Sequence, residues 1–216
     1  IRIAQIVNAK MILFENVPNI QNKRIAKDSK ELVIDYLKKE LEEAGYGNFK
    51  EFVLDASIYG VPQKRKRFFI LASKDSQIDV SQTPVETTPD KEVTVKDAFI
   101  DIPEVIANTW TENPNYLKEE SEYTRLMKND SFWKRITKEK KLLNHLPMNH
   151  RKNILERFTI LQQGEGLKGL FERLTAEELA EYQSRKVIPK TIYVKRNYRL
   201  KWDEASPTVT SHCLDE

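Results

Sequence analysis

The sequence predicts an α/β protein, and three features of residues 1 to 75 point to it. Met11-Ile-Leu-Phe14 is a short continuous apolar run of the kind shown by a strand buried on both faces. Residues 29 to 44 carry Leu32, Val33, Tyr36, Leu37, Leu41 and Ala44 at helical spacing. Phe52-Val-Leu54 and Phe68-Phe-Ile-Leu-Ala72 are further strand candidates, so helix and strand alternate as they do in half of a wound sheet.

The elements follow in order. The chain opens at Ile1, not Met, inside a plausible helix over Arg2 to Val7, so an upstream extension is expected and the chain reads as a fragment. The first strand ends at the polar pair Glu15-Asn16, followed by Val17-Pro18, which places Glu15 just past the strand's carboxyl end. In the long helix, Asp28 and Ser29 are available as caps and Gly45 as the stop. Between the next two strands, Tyr59-Gly-Val-Pro62 and Gln63-Lys-Arg-Lys-Arg67 read as a short basic turn. Residues 76 to 92, rich in Ser, Gln, Thr and Pro, have the composition of a surface linker. Beyond them lies a less periodic region, 93 to 216, with helices expected over 151 to 161 and 175 to 185. The second of these opens on a Thr175/Glu178 capping box. Residues 187 to 210, with Ile192, Tyr193, Val194, Tyr198, Leu200, Trp202 and Val209 among Lys and Arg, read as strands presenting positive charge.

Composition removes several classes of function. With 216 residues and 39% hydrophobic content there is core for one or two packed units. Thirty-six Lys and Arg against 33 Asp and Glu leave a formal net charge of +3, too small to argue for a polyanionic partner by itself. Cys213 is the only cysteine, so there is no internal disulfide framework and no cysteine-rich zinc site, as expected in a reducing, cytoplasmic setting. No apolar run approaches the roughly 20 residues that span a bilayer. His145, His150 and His212 lack metal-ligand spacing, so no metal is expected. Gly164-Glu-Gly166 with Gly169 is too sparse for a phosphate-binding loop.

Two strings hold most of the chemistry-bearing residues: Phe14-Glu-Asn-Val-Pro18 and Tyr59-Gly-Val-Pro-Gln-Lys-Arg-Lys-Arg67. Read alone, Glu15 is a surface carboxylate at a strand end. The second string is equally a solvated basic segment, and if extended it puts Gln63, Arg65 and Arg67 on one face and Lys64 and Lys66 on the other. Together and in this order they resemble the Glu-Asn-Val and Gln-x-Arg-x-Arg motifs of the DNA cytosine-5 methyltransferases. Arg2-Ile-Ala-Gln-Ile-Val7 and Val53-Leu-Asp-Ala56 resemble the segments leading into those motifs. Val93-Thr-Val-Lys-Asp-Ala98 with Asp101-Ile-Pro103 resembles the opening of that family's recognition region. Asn149-His150, Arg157-Phe158 and Gly164-Glu165 are similar to another recurrent stretch. Tyr198-Arg-Leu200, Trp202 and Ser206-Pro-Thr-Val-Thr210 are similar to the region's close.

The resemblance implies a partial Rossmann-like methyltransferase sheet over residues 1 to 75, a linker over 76 to 92 and a mixed α+β target-recognition domain over 93 to 216. It implies transfer of a methyl group from S-adenosylmethionine to carbon 5 of a cytosine flipped out of double-stranded DNA, in a bacterial restriction-modification setting. By the same resemblance Glu15 stabilises the cytosine ring nitrogen as charge develops, and Asn16 holds the turn. Arg65 and Arg67 bind the base carbonyl or a nearby phosphate, with Gln63 in support. Candidate DNA contacts are Lys64, Lys66, Tyr193, Lys195, Arg196 and Arg199; for the last four a strand with a solvated basic face and buried aromatics serves as well, and for Lys64 and Lys66 a solvated basic turn. Trp110, Trp133, Tyr198 and Trp202 are interleaved with the basic residues of the same region.

The family's nucleophile is a Cys directly after a Pro, upstream of Glu-Asn-Val, and no Pro-Cys string exists here. Cys213 follows Ser211-His212 near the other end and is expected not to be catalytic. The Gly-containing loop of the methyl-donor site is also absent from the sequence, so the chain alone is expected to be inactive. The alternative class is a non-catalytic DNA-binding module, or the recognition subunit of a split methyltransferase that needs a complementary chain.

Overall fold

A computed structural model describes residues 1–109, 114–129, 142–191 and 197–209. Trp110, Asn113, Trp133, Lys134, Arg135, Ile192, Tyr193, Val194, Lys195, Arg196, Thr210, Ser211, His212 and Cys213 lie outside the described residues. The chain is mixed α/β with small sheets and divides into two compact units. One is residues 1–60 with 64–91; the other is residues 61–63 with 92–216.

The first unit is built on a three-stranded sheet. Strand β1 (Met11–Asn16) and strand β2 (Asn48–Asp55) flank strand β4 (Lys66–Ser73), and both run antiparallel to it. The two-residue strand β3 (Gln63–Lys64) precedes β4 in the chain. Alternation along the strands sends Ile12, Phe14, Phe68, Ile70 and Ala72 to one face, where they form a core with Ile34 and Leu41 of helix α2 (Val33–Glu43) and with Tyr46. Helix α1 (Arg2–Ile6) adds Ala4 to that core and leaves Ile3 and Ile6 exposed.

Helix α2 ends as its sequence predicts. Gly45 adopts a left-handed φ of +85°, its N–H donates to Glu42 O at 2.9 Å, and Tyr46 N–H donates to Leu41 O at 2.8 Å. Its start differs from the expectation. Leu32, not Asp28 or Ser29, holds the N-cap position without a side-chain bond, and Val33 N–H is satisfied by Lys23 O at 2.7 Å. Ser29 Oγ instead accepts from Glu31 N–H in a local turn.

Two further expectations for this unit need correcting. β1 is not buried on both faces, because only the Ile12/Phe14 side packs on the core, and Leu13 on the other side is 61% exposed. Residues 63 to 67 are extended rather than a turn; the reversal is made earlier, by a 3-10 turn (Ala56–Tyr59) and Gly60 at φ +80°. Residues 75 to 88 are tied to the same unit: Asn48 Nδ2 donates to Asp75 O and Ile78 O, Tyr59 Oη to Pro84 O, and Thr88 Oγ1 to Ser57 O.

The described helices of the second unit are α3 (Val95–Phe99), α4 (Glu122–Asn129), α5 (Lys152–Ile160), α6 (Leu167–Arg173) and α7 (Ala176–Ser184). Its core gathers Leu161, Leu167, Leu170, Val187 and Ile188. The Thr175/Glu178 capping box forms as read, and a second one, Thr94/Asp97, opens α3. Among the described residues of 187 to 209, only Ser206–Pro207 (β5) is strand, where Ser206 N–H donates to Pro62 O at 3.0 Å. Tyr198, Leu200 and Trp202 are not. The backbone there is used singly: Arg199 exchanges bonds with Gly164 and Glu165, and the carbonyls of Trp202 and Glu204 accept from Lys96 and Val95 at the start of α3.

Candidate active site

Glu15 lies within β1, not beyond its end, and faces Phe69 of β4 in register. In an antiparallel pair the diagonal neighbour two residues away lies on the same face, within reach of a long side chain. Arg67 is that neighbour of Glu15. Its Nε lies 2.7 Å from Glu15 Oε1, and its Nη1 donates to Lys66 O at 2.8 Å. The Arg67 side chain is 19% exposed and that of Glu15 52%, so the guanidinium is largely enclosed while the carboxylate remains reachable from solvent. The surrounding face is apolar. Leu54 stands opposite Arg67, and the rings of Phe52 and Phe69 stack with centroids 5.6 Å apart.

Asn16 ends β1 with its Oδ1 accepting from Val17 N–H at 2.8 Å, and Pro18 is the first residue of the 3-10 turn Pro18–Asn22. The Asn16 side chain thus bonds to the first peptide after the strand. Burial along the basic string alternates as an extended segment requires: Gln63, Arg65 and Arg67 are half-buried, and Lys64 and Lys66 are exposed. Arg65 has no carboxylate partner among the described residues. Asp55 was not singled out in the sequence. Its Oδ1 accepts from Arg65 N–H at 3.0 Å, from Ser57 N–H at 3.3 Å and from Ser57 Oγ at 3.2 Å. The available signal was an Asp one residue before a short turn, which is a capping pattern.

Of the residues put forward for DNA contact, Tyr193, Lys195 and Arg196 lie outside the described residues. Arg199 is exposed, although its Nη1 donates to Leu161 O at 2.9 Å. Phe158, Leu161, Asn197, Tyr198 and Arg199 line an open cavity of about 240 Å³ in the second unit.

The described residues form a mixed α/β fold with small sheets, and that fold is shared with a solved structure. A prophage-encoded protein of E. coli, described as a DNA modification methyltransferase, matches 96% of this chain and 54% of its own at a TM-score of 0.59 and 20% identity. The chain belongs to the C-5 cytosine-specific DNA methylase family, whose model matches residues 1–207. Among curated proteins it is 25% identical over 215 residues to the type II methyltransferase M.DdeI of Desulfomicrobium norvegicum. It is also 27% identical over 184 residues to the type II methyltransferase M.Eco47II of Escherichia coli. These alignments take in 98% and 82% of the chain but 48% and 39% of the relatives, so the chain spans at most about half their length.

Methyltransferases of this family draw on S-adenosylmethionine. Among the described residues, Gly45 and Gly47 have open space where a Cβ would stand and so form no cradle for that donor. The cavity of the second unit is open and, at about 240 Å³, lies below the roughly 300 Å³ at which small-ligand pockets usually begin.

Proposed function

We propose that this chain supplies the base-recognition half of a DNA (cytosine-5) methyltransferase, with Glu15 and Arg67 acting on the ring of a flipped cytosine. The single observation that carries this reading is the 2.7 Å pair between Glu15 and Arg67, which joins the two motif strings on one solvent-reachable face. Addition of a nucleophile at carbon 6 pushes electron density onto the cytosine ring nitrogen and carbonyl. A carboxyl group at that nitrogen and the exocyclic amine holds the proton that neutralises the developing charge, and it selects cytosine over thymine. Arg67, fixed from below by Lys66 O, orients the carboxyl and has further N–H groups for the base carbonyl. Arg65 supplies a cation for a phosphate next to the extruded nucleotide.

The same reading makes the first unit the C-terminal part of the catalytic domain, with an incomplete Rossmann-like sheet. The second unit is the target-recognition domain, and double-stranded DNA is the partner. The nucleophile and the methyl-donor site are not among the residues of this chain, so the chain alone transfers no methyl group. Membership in a restriction-modification pair is the setting that fits the type II relatives.

The test is methyl transfer to duplex DNA by the full-length protein that contains this chain, with Glu15→Gln beside wild type. Loss of one charge-stabilising contact lowers turnover about 100-fold or more while DNA affinity stays within about threefold. Unchanged turnover removes Glu15 from the reaction. A wild-type protein that binds duplex DNA and methylates none of it supports a non-catalytic reader instead.

A further inference from the structure

We propose that Asp55 is a positioning residue: through one carboxylate oxygen it fixes the Arg65 peptide, and thereby the register that lays Arg67 against Glu15. The inference rests on the reading of Glu15 and Arg67 given above. The ladder between β2 and β4 ends at the pair Asp55 and Lys66. Beyond it the strands would be free to fray, yet both peptide groups of Arg65 remain held. Its N–H donates to Asp55 Oδ1 at 3.0 Å, and its carbonyl accepts from Ala56 N–H at 3.1 Å.

Arg67 is only the second residue of β4, so this clamp is what separates it from a loose strand end. A one-residue slip there would turn Arg67 to the α2 side of the sheet and away from Glu15. The same oxygen gathers Ser57, which is 2% exposed, through both its N–H and its Oγ. Thr88 Oγ1 in turn donates to Ser57 O at 3.0 Å and accepts from Gly60 N–H at 3.0 Å. The turn between the two strands is thus closed on Asp55 from both sides.

All three bonds converge on Oδ1, so what the clamp needs is an acceptor oxygen at that point. An asparagine presents an oxygen in the same place, whereas glutamate keeps the charge but carries its oxygens one methylene further out. Geometry and charge are therefore separable by substitution. Asp55→Asn retains most of the turnover, and Asp55→Glu and Asp55→Ala lose it.

The experiment measures steady-state methylation in the full-length protein for Asp55→Asn, Asp55→Glu and Asp55→Ala, together with hydrogen exchange at the Arg65 amide. Expected are a fall in kcat of about tenfold to 100-fold for the Glu and Ala variants with KM for DNA within about threefold, and Asn within about twofold of wild type. Protection of the Arg65 amide is kept in Asn and lost in Glu. Wild-type kcat in Asp55→Glu, or an Asn variant as impaired as Glu, overturns the proposal, and neither result depends on whether Asp55→Ala folds. If the wild-type protein transfers no methyl group, the functional reading fails separately, and Arg65 exchange still decides whether Asp55 holds the strand.

Discussion

Arg67 Nε meets Glu15 Oε1 at 2.7 Å across the β1–β4 pair, and the partly solvated setting of that contact separates its structural from its chemical worth. With half of the Glu15 side chain exposed, the ion pair contributes no more than about 1 kcal/mol to stability. Arg67→Ala in the full-length protein should therefore change the unfolding free energy by about 1 kcal/mol or less, yet lower turnover by about 100-fold or more. Arg67→Lys should stay impaired, because an ammonium cannot place a planar Nε beside Glu15 and also reach Lys66 O. Thermal unfolding and methylation kinetics on the same samples check the split. A variant with near-wild-type kinetics would take Arg67 out of the site.

Much of the described structure is legible in its residues, and the departures from that reading have physical causes. The apolar period of α2 and the Gly45 stop were readable because both are local. So was the Thr175/Glu178 box, whose two bonds close within one turn. In the sequence, the polarity of Glu15 looks like a strand ending. Glu15 belongs to the strand because the sheet face it joins is the one the α2 core leaves uncovered. The start of α2 is set by tertiary structure and so is not legible locally: Lys23 O, ten residues upstream, satisfies Val33 N–H, and no local cap residue is needed. Residues 197 to 204 carry strand-like side chains, but their carbonyls and N–H groups serve a helix start and a loop. The Glu15–Arg67 pair was foreshadowed only by resemblance, since neither string alone states that the two would meet.

Gly45 offers a clean measure of backbone strain. Its φ is +85°, and an added Cβ would meet nothing within 4 Å, so Gly45→Ala tests conformation without a clash. The left-handed conformation costs a residue with a Cβ about 1–2 kcal/mol, and denaturant unfolding should show that loss and little more. A loss well above about 3 kcal/mol would mean that the turn also disturbs Tyr46, which is fully buried and donates from its Oη to Ala9 O at 2.7 Å.

Glu165 should contribute to the acid sensitivity of the second unit, beside Glu178, whose carboxyl the Thr175 backbone and hydroxyl likewise hold below its ordinary range. The Glu165 carboxylate receives Arg173 Nε at 2.9 Å, Arg173 Nη2 at 3.0 Å and Gln162 N–H at 2.8 Å. The hydrogen bond from Arg173 is the largest influence and, with the Gln162 amide, holds Glu165 below the ordinary value of 4.5, outweighing the opposing effect of burial. Below that value the unfolded chain binds the proton more readily than the folded one. The stabilisation is therefore complete above about pH 4.5 and is lost as pH falls through the lower folded value. Urea unfolding followed from pH 7 to pH 3 should fall more steeply in the wild type than in Glu165→Gln. Identical acid slopes would assign the sensitivity to other groups.

Loss of Arg157 should be costly in the second unit. Arg157 is 8% exposed, and burial pushes its guanidinium below the ordinary arginine value, so the charge is held at a desolvation cost. That cost is offset by Nε donating to Val187 O at 2.5 Å and Nη1 to Asn197 Oδ1 at 2.8 Å. These bonds fasten α5 to two segments distant in sequence, and Val187 itself belongs to the core with Leu161, Leu167 and Leu170. Removing the guanidinium leaves both acceptors buried and unpaired, at about 1–3 kcal/mol each, while relieving part of the desolvation cost. Arg157→Met, which keeps much of the stem's apolar volume, should thus destabilise the unit by about 2–4 kcal/mol. Arg157→Lys should recover only part of it, because a single ammonium cannot span both oxygens. Denaturant unfolding followed by tryptophan fluorescence reads the effect, and a loss below about 1 kcal/mol in Arg157→Met would show that the two bonds are replaced by water and do not hold the unit together.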